Sequence, residues 1–416
     1  MFFAKLLARV VSKGTISVID PAGKSRTVGS GMPKVTLRVH DWRTDLHLAV
    51  HPTMAAGEAY MNGRLTIEDG TLYDFVEIAS RNLDDLASHP VQRVIDGVSA
   101  FLRRVQQHNP LHRAQRNVTH HYDLSDRLYE SFLDPQRQYS CAYFTHPEMG
   151  LDAAQEAKIR HIAAKLLLKP GQRVLDIGCG WGGLALALAR MADVEVLGVT
   201  LSVGQHKYAS ERARAAGLED RVRFELRDYR LLDEEFDRVV SVGMFEHVGV
   251  GHYGEFFGKV RTLLKPDGVA LLHSIGRHDG PGVTNPWIRR YIFPGGYSPA
   301  LSEVLPVIET ERLWATDIEI LRLHYAETLR HWRERFEKHR AEMAALYDER
   351  FCRMWELYLI GSELSFRLMG HMVFQIQLAK DIEAVPLTRD YIGAFEKAST
   401  PALRSVPDPK AKAKAN

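Results

Sequence analysis

Residues 173–183, RVLDIGCGWGG, constrain this chain more than any other stretch. An apolar run ends at Asp176, and glycines follow at 178, 180, 182 and 183. That pattern is a β-strand passing through a tight turn into a helix, whose bare backbone amides let a ligand approach closely. Strands and helices alternate around it. Residues 152–168, 182–191, 203–216 and 252–264 read as helices, and 173–178, 194–200, 222–228, 236–243 and 268–275 as strands. Apolar runs such as VVSVGMF and VALLHSI fit strands buried on both faces. Residues 314–323 and 372–378 supply two more strands around long helices. The expectation is an α/β fold, a mostly parallel, seven-stranded, Rossmann-like sheet covered on both faces.

A glycine-rich strand–helix turn is shared by several nucleotide-binding enzymes, so its details decide. The spacing D-x-G-x-G, with Gly178 and Gly180 in the turn, lacks the third glycine of the dinucleotide fingerprint. Asp176 sits at the strand end, where a carboxylate suits an amino-acid ammonium. The second strand runs into VTLSVGQ and carries no acidic residue for a ribose, leaving polar contacts to Thr200, Ser202 and Gln205. The third ends at Asp228 and Tyr229, suited to an adenine amino group and an aromatic edge. S-adenosylmethionine fits this set better than a dinucleotide.

The rest of the chain is of another kind. Residues 14–75 hold short alternating runs, TISVID, SRTVG, KVTLRVHD and DLHLAV, which read as strands of a small N-terminal α+β unit. The first residues, MFFAKLLARVVSKG, interrupt apolar pairs with Lys5, Arg9 and Lys13, which suits a short amphipathic helix better than a signal peptide. That helix either covers the unit's own core or lies on a membrane surface. Residues 90–116 form a basic amphipathic segment, either a solvated linker helix or a contact for anionic headgroups. The expected division is an N-terminal lipid-interaction domain over 1–89, this helical linker over 90–116, a catalytic domain over 117–395 and a disordered basic tail over 396–416. No apolar stretch approaches the roughly 18 residues that span a bilayer. The cysteines, Cys141, Cys179 and Cys352, are too few and scattered for a disulfide framework and suit a reducing compartment. No metal site is expected, because no histidine or cysteine cluster has ligand spacing with acidic support. A net charge of +2 says nothing for a nucleic-acid partner, and none is expected.

With these pieces placed, the chain resembles the cyclopropane-fatty-acyl-phospholipid synthases, within the mycolic acid cyclopropane synthase-like methyltransferases. The matching segments are HHYDLSDRLYESFLDP (120–135), YSCAYF (139–144), LDIGCGWGGLA (175–185), VTLSVGQ (199–205), SVGMFEHVG (241–249), LLHSIG (271–276), WIRRYIFPGG (287–296) and HYAETLRHW (324–332). The resemblance spans roughly 115–380 and, weakly, GEAYMNGRL (57–65). It implies a class I S-adenosylmethionine-dependent methyltransferase that transfers a methylene group to the cis double bond of an acyl chain in a membrane phospholipid. It implies that Tyr139 and Ser140 lie near the cofactor's amino-acid end, and that Gly178, Thr200, Gln205, Asp228 and Tyr229 contact its other parts. It implies a bicarbonate ion as base, held by Cys141 largely through its backbone, Glu246, His273, the Ile275 backbone and Tyr325. Homodimers, and a cytoplasmic protein peripherally attached to the inner face of the cell membrane, are further expectations of the family.

The chemistry has a use for these groups. An alkene is a weak nucleophile, and its attack on a sulfonium methyl leaves a carbocation from which water must be kept. A proton must then leave the added methyl, which needs a small base in an apolar pocket. Glu246 follows the fourth strand and His273 lies in the fifth, so both sit near the carboxyl edge where such sheets bind ligands. A sibling enzyme leaving a methyl branch, and a lipid-binding protein without catalysis, are the competing readings. WIRRYIFPGGY and FCRMWELYLIGSELSFRLMG read as lid and channel walls, or equally as core.

Overall fold

The computed structural model describes residues 1–83 and 124–398. The expected linker over 90–116, His120 to Asp123 of the first matching segment, and the tail beyond 398 lie outside the described residues. The described chain falls into two compact units, one of 1–83, 283–294 and 329–370, the other of 124–282, 295–328 and 371–398.

In the first unit, β1 (Gly14–Ile19), β2 (Ser25–Ser30), β3 (Lys34–Val39) and β4 (Leu65–Asp69) form a sheet in the order β2-β1-β3-β4. Helix α1 (Phe2–Val10) buries Phe3, Ala4 and Leu7 against Ile16, Val18 and Leu37, so it covers its own unit's core. Asp45 caps it from outside, its carboxylate accepting from the Phe2 and Phe3 amides at 2.5 and 3.2 Å. The segment DLHLAV is not a strand. It belongs to α2 (Trp42–Val50), because the Asp41 carboxylate accepts from the Thr44 amide at 2.8 Å and starts a helix there. Thr44, Asp45 and Leu48 then face inward at helical spacing, which a two-residue alternation over six residues does not reveal. Helices α3 (Pro52–Met61) and α4 (Leu72–Arg81) complete the N-terminal part. Helix Glu349–Leu368 sends Ile360 and Leu364 into this same core, and the Trp287 indole donates to the Met61 sulfur at 3.2 Å. Of the aromatic stretches at 287–297 and 351–370, Trp287, Ile292, Trp355, Tyr358 and Phe366 are also buried.

The second unit carries the alternating pattern. Its seven strands are β5 (Arg173–Ile177), β6 (Glu195–Thr200), β7 (Val222–Leu226), β8 (Phe236–Val242), β9 (Leu264–Arg277), β10 (Trp314–Leu321) and β11 (His371–Ala379). They run in the order β10-β11-β9-β8-β5-β6-β7, and β11 lies antiparallel to both its neighbours while β5 to β9 are parallel. Leu175 and Ile177 enter the core on one face and Val174 that on the other, which is why both faces of β5 carry apolar residues. The covering helices include α5 (Asp126–Phe132), α6 (Leu151–Lys165), α7 (Gly183–Ala192), α8 (Val203–Ala215) and α9 (Tyr253–Leu263).

One buried ionic network ties α6 to the sheet edge. Lys165, with no exposed side-chain surface, bonds Glu319 of β10 and lies 3.2 Å from Asp317. His161, one turn earlier, bonds Glu319 at 2.6 Å and Glu396 at 2.7 Å. Burial pushes the Glu319 carboxyl up, but the His161 bond and the two cationic neighbours outweigh it and hold it at about 2. Its stabilising contribution is therefore present above the ordinary value of 4.5 and is lost as pH falls toward 2. Glu319→Gln should cost about 2–3 kcal/mol at pH 7, since it removes the carboxylate that Lys165 and His161 share and leaves the buried Lys165 to Asp317 alone, and the deficit against wild type should shrink as pH drops below 4.5. Denaturant titrations of both proteins across that range check it, and a pH-independent gap would contradict it.

Candidate active site

Three segments converge at the carboxyl edge of β5 and β6. The first is the strap 134–144, which the chain pins on every side. Asp134 accepts from the Gln136 and Gln138 amides, each at 2.8 Å. Arg212 of α8, fully buried, donates to the carbonyls of Pro135 and Gln136 and to the Gln136 side chain. Gln155 of α6 donates to the carbonyls of Gln138 and Ser140 at 3.2 and 3.0 Å. Lys158, one turn on, donates to the Ser140 hydroxyl at 2.7 Å. The Ala142 amide donates to Thr328 at 3.0 Å and the Phe144 amide to His324 at 3.0 Å, which brings the helix bearing Tyr325 alongside Cys141.

The second segment is the glycine turn. Gly178 and Gly180 take φ of +82° and +54°, and the Gly178 and Cys179 amides both donate to the Val199 carbonyl. A Cβ on Gly178 would meet the Met244 side chain at 2.8 Å, so the turn tolerates only glycine there. A Cβ on Gly180 would meet nothing within 4 Å, because that position faces open space. Helix α7 begins at Gly183 with no side-chain cap on its first amides. The third segment is β6 into α8. Thr200 donates to the Gln205 side chain at 2.9 Å, and the Ser202 hydroxyl caps α8 through the Gln205 amide.

These segments enclose a cavity. Tyr139, Ser140, Asp176, Gly178, Gly180, Thr200, Gln205, Asp228 and Tyr229 all line it, whereas Ser202 stands behind it as a cap. Arg230 donates to Asp228 through its guanidinium at 2.9 and 2.8 Å and through its amide at 3.0 Å, and a lone pair on Oδ2 remains for a further donor. Asp176 is 1% exposed, and its Oδ2 has no partner among the described residues. Burial pushes its carboxyl up to about 7 despite the opposing Lys158 charge. A cationic group arriving in the cavity satisfies it, as an amino-acid ammonium would. The residues present thus fit S-adenosylmethionine.

Of the other five predicted residues, Glu246, His273 and Ile275 come together around β9. The Glu246 Oε1 accepts from the Ile275 amide at 2.6 Å, so Ile275 joins the set with its N–H already committed. His273 lies two residues earlier on β9, and its Nδ1 accepts from Gln375 of β11 at 3.1 Å. The imidazole proton therefore sits on Nε2. His273 Nε2, Glu246 Oε2 and Gln375 Oε1 are all buried without a partner among the described residues. Buried polar atoms in such a state call for a ligand. Burial pushes Glu246 up to about 7 and holds His273 well below the usual imidazole value. Cys141 is 1% exposed and its thiol is pushed up by burial, so no thiolate chemistry is available to it. Tyr325 is buried on the first turn of helix His324–Lys338.

Comparison with known proteins decides the family. Residues 109–376 match the family described as Mycolic acid cyclopropane synthetase. The cyclopropane-fatty-acyl-phospholipid synthase of Escherichia coli K12 is 39% identical over 331 residues, covering 80% of this chain and 84% of its own. The chain belongs to that family. It is an S-adenosylmethionine-dependent methyltransferase with the α/β fold expected from its sequence. A probable fatty acid methyltransferase of Pseudomonas putida is equally close, at 39% over 350 residues and the same shares of both chains. Among solved structures, the mycolic acid cyclopropane synthase CmaA1 in complex with SAH and CTAB superposes with a TM-score of 0.59 at 34% identity, over 65% of this chain and 99% of that one.

Within this methyltransferase, several residues of the site escaped the sequence reading. Gln138, Trp181, Met244 and His247 line the cavity, Gln155 and Lys158 hold its walls, and Gln375 holds His273. Trp181 sits inside the glycine motif itself, and its ring packs 4.6 Å from Tyr129. Gln375 had a signal available: it stands between apolar residues in a strand whose every position past the first is buried.

Proposed function

We propose that the enzyme transfers a methylene group from S-adenosylmethionine to the cis double bond of an unsaturated acyl chain of a membrane phospholipid, leaving a cyclopropane ring. The observation that carries this reading is the pair of buried, unpartnered atoms Glu246 Oε2 and His273 Nε2. Methyl transfer to an amine or alcohol needs no second polar pocket, because the acceptor's proton leaves to water. Ring closure needs one, since the proton comes off carbon beside an acyl chain.

The bound cofactor supplies a methyl on a sulfonium, an electrophile strong enough for an alkene. The strap and glycine turn fix its position, and α6 and α7 keep water from the strap's inner side. A bicarbonate in the second cluster supplies a small base. His273 offers it the Nε2 proton, and Glu246, at about 7, is divided between carboxyl and carboxylate at neutral pH, so it both donates to an oxyanion and takes up a proton. Tyr325 and the Cys141 backbone complete this holder.

The substrate stays in a membrane, so the protein must reach one. No helix among the described residues is long and apolar enough to cross a bilayer. Helix α2 exposes Trp42, Leu46 and Val50 at four-residue spacing beside Arg43, and α1 exposes Phe2 beside Lys5 and Arg9. An apolar stripe flanked by cations supports peripheral attachment of the N-terminal unit to an anionic leaflet.

Expression in a host that makes unsaturated phospholipids but no cyclopropane lipids tests the reaction. The expected result is phospholipid heavier by one CH2, with cyclopropane protons in its NMR spectrum. Unchanged lipid from folded protein contradicts the proposal. The similarity to a probable fatty acid methyltransferase favours one alternative, a methyl-branched chain, and a methyl doublet in place of the ring protons would establish it.

A further inference from the structure

Lys158 is a lysine with no solvent exposure at all, placed one helical turn beyond Gln155 on α6. Its hydrogen bond goes to the Ser140 hydroxyl at 2.7 Å, and the carboxyl groups that act on its charge are those of Asp134 and Asp176. A buried ammonium without full ion pairing is costly, and stability alone gives no reason to keep one. Burial lowers it to about 8, which leaves it charged at neutral pH.

The direction of the hydrogen bond carries the argument. An ammonium only donates, so the Ser140 oxygen must accept. The single hydroxyl proton of Ser140 is then left to point elsewhere, and Ser140 lines the cavity. Lys158 thereby turns Ser140 into a committed donor toward the cavity, backed by a positive charge. A group of opposite character lines the same cavity. Asp176 presents an unpartnered carboxyl oxygen to the same cavity, which a cationic group of the ligand holds in its carboxylate form. A donor backed by a cation and a lone carboxylate make a matched pair for a zwitterion.

We infer that Lys158 is a positioning residue for the amino-acid end of S-adenosylmethionine: through Ser140 it holds the α-carboxylate, which leaves the ammonium to Asp176. The inference rests on reading this cavity as the cofactor site. It assigns the two ends of the zwitterion to different walls and makes an interior lysine part of cofactor selection.

Calorimetric titration of the full chain with three ligands tests it: S-adenosylhomocysteine, its decarboxylated analogue that keeps the amine, and 5′-methylthioadenosine that lacks both groups. Lys158→Met should weaken S-adenosylhomocysteine by about 10- to 100-fold, the range for a charge-assisted hydrogen bond, and leave the other two within about twofold. At saturating S-adenosylmethionine most of kcat should return, so that the change falls on KM. Equal weakening of all three ligands, or none, overturns the inference. If Lys158→Met does not fold, Ser140→Ala carries the same test, with a carboxylate-selective loss of about 5- to 10-fold expected for one neutral donor. Failure of the wild-type chain to bind S-adenosylhomocysteine at all would instead overturn the cofactor site itself.

Discussion

Glu246→Gln should lower kcat by about 10²–10³-fold while leaving the Kd for S-adenosylhomocysteine within about twofold. The substitution is nearly isosteric, and the amide oxygen still accepts from the Ile275 amide as Oε1 does at 2.6 Å. The amide nitrogen still donates to an oxyanion. What is lost is the ability to change protonation state, which the wild-type group has at neutral pH because burial brings it to about 7. A proton that leaves the acyl chain then has no titratable neighbour on this side of the pocket. The wild-type kcat profile should show a limb near pH 7 that the variant lacks. Steady-state rates with vesicles of unsaturated phospholipid, and calorimetric binding of S-adenosylhomocysteine, read the two halves separately. A kcat within tenfold of wild type would remove Glu246 from the chemistry. A tenfold loss of S-adenosylhomocysteine affinity would make it part of the cofactor site instead.

The alternating strands were legible because parallel strands buried on both faces have mainly apolar centres, as Val174 and Leu175 of β5, Val239 and Val240 of β8, and Val269 to Leu272 of β9 show. The glycine turn was legible because positive φ at 178, 180 and 182 restricts the residue type. Helix α6 shows what was not legible. Its polar residues Gln155, Lys158, His161 and Lys165 recur every three or four positions, the pattern of a solvated stripe. The fold turns that stripe inward, onto Ser140 at one end and Glu319 at the other. Spacing cannot report this, since it is the partners, more than a hundred residues away for β10, that make a polar face an interior one. Helix α2 was missed for a local reason: its one strong signal, the Asp41 cap, lies just before an alternating run. The return of 283–294 and 329–370 to the first unit left no mark at all, because aromatic core and aromatic channel wall have the same composition.

Gly183→Ala should weaken S-adenosylhomocysteine binding by about 100-fold and cost about 1–3 kcal/mol of stability, the usual range for overpacking. The reason is not backbone conformation, since Gly183 is an ordinary first residue of α7. A Cβ there would stand 2.1 Å from the Gln136 carbonyl oxygen and 2.8 Å from the Gln138 side-chain nitrogen. The first of these is backbone, which no rotamer change relieves. Nor is the strap free to retreat, because Arg212 holds the same Gln136 carbonyl at 3.2 Å and Asp134 holds the Gln136 and Gln138 amides. Either α7 or the strap must shift, and both carry cavity walls: Tyr139 and Ser140 on one side, the turn amides on the other. Gly171→Ala is the matched control. Gly171 has φ of +77° with nothing within 4 Å of its Cβ position, so alanine there should cost about 1 kcal/mol of strain and leave ligand affinity unchanged. Calorimetry and thermal unfolding of both variants separate the two effects. Binding by Gly183→Ala within threefold of wild type would show that strap and helix can part without disturbing the site, and would dissolve the link drawn between the strap's rigid anchoring and cofactor binding.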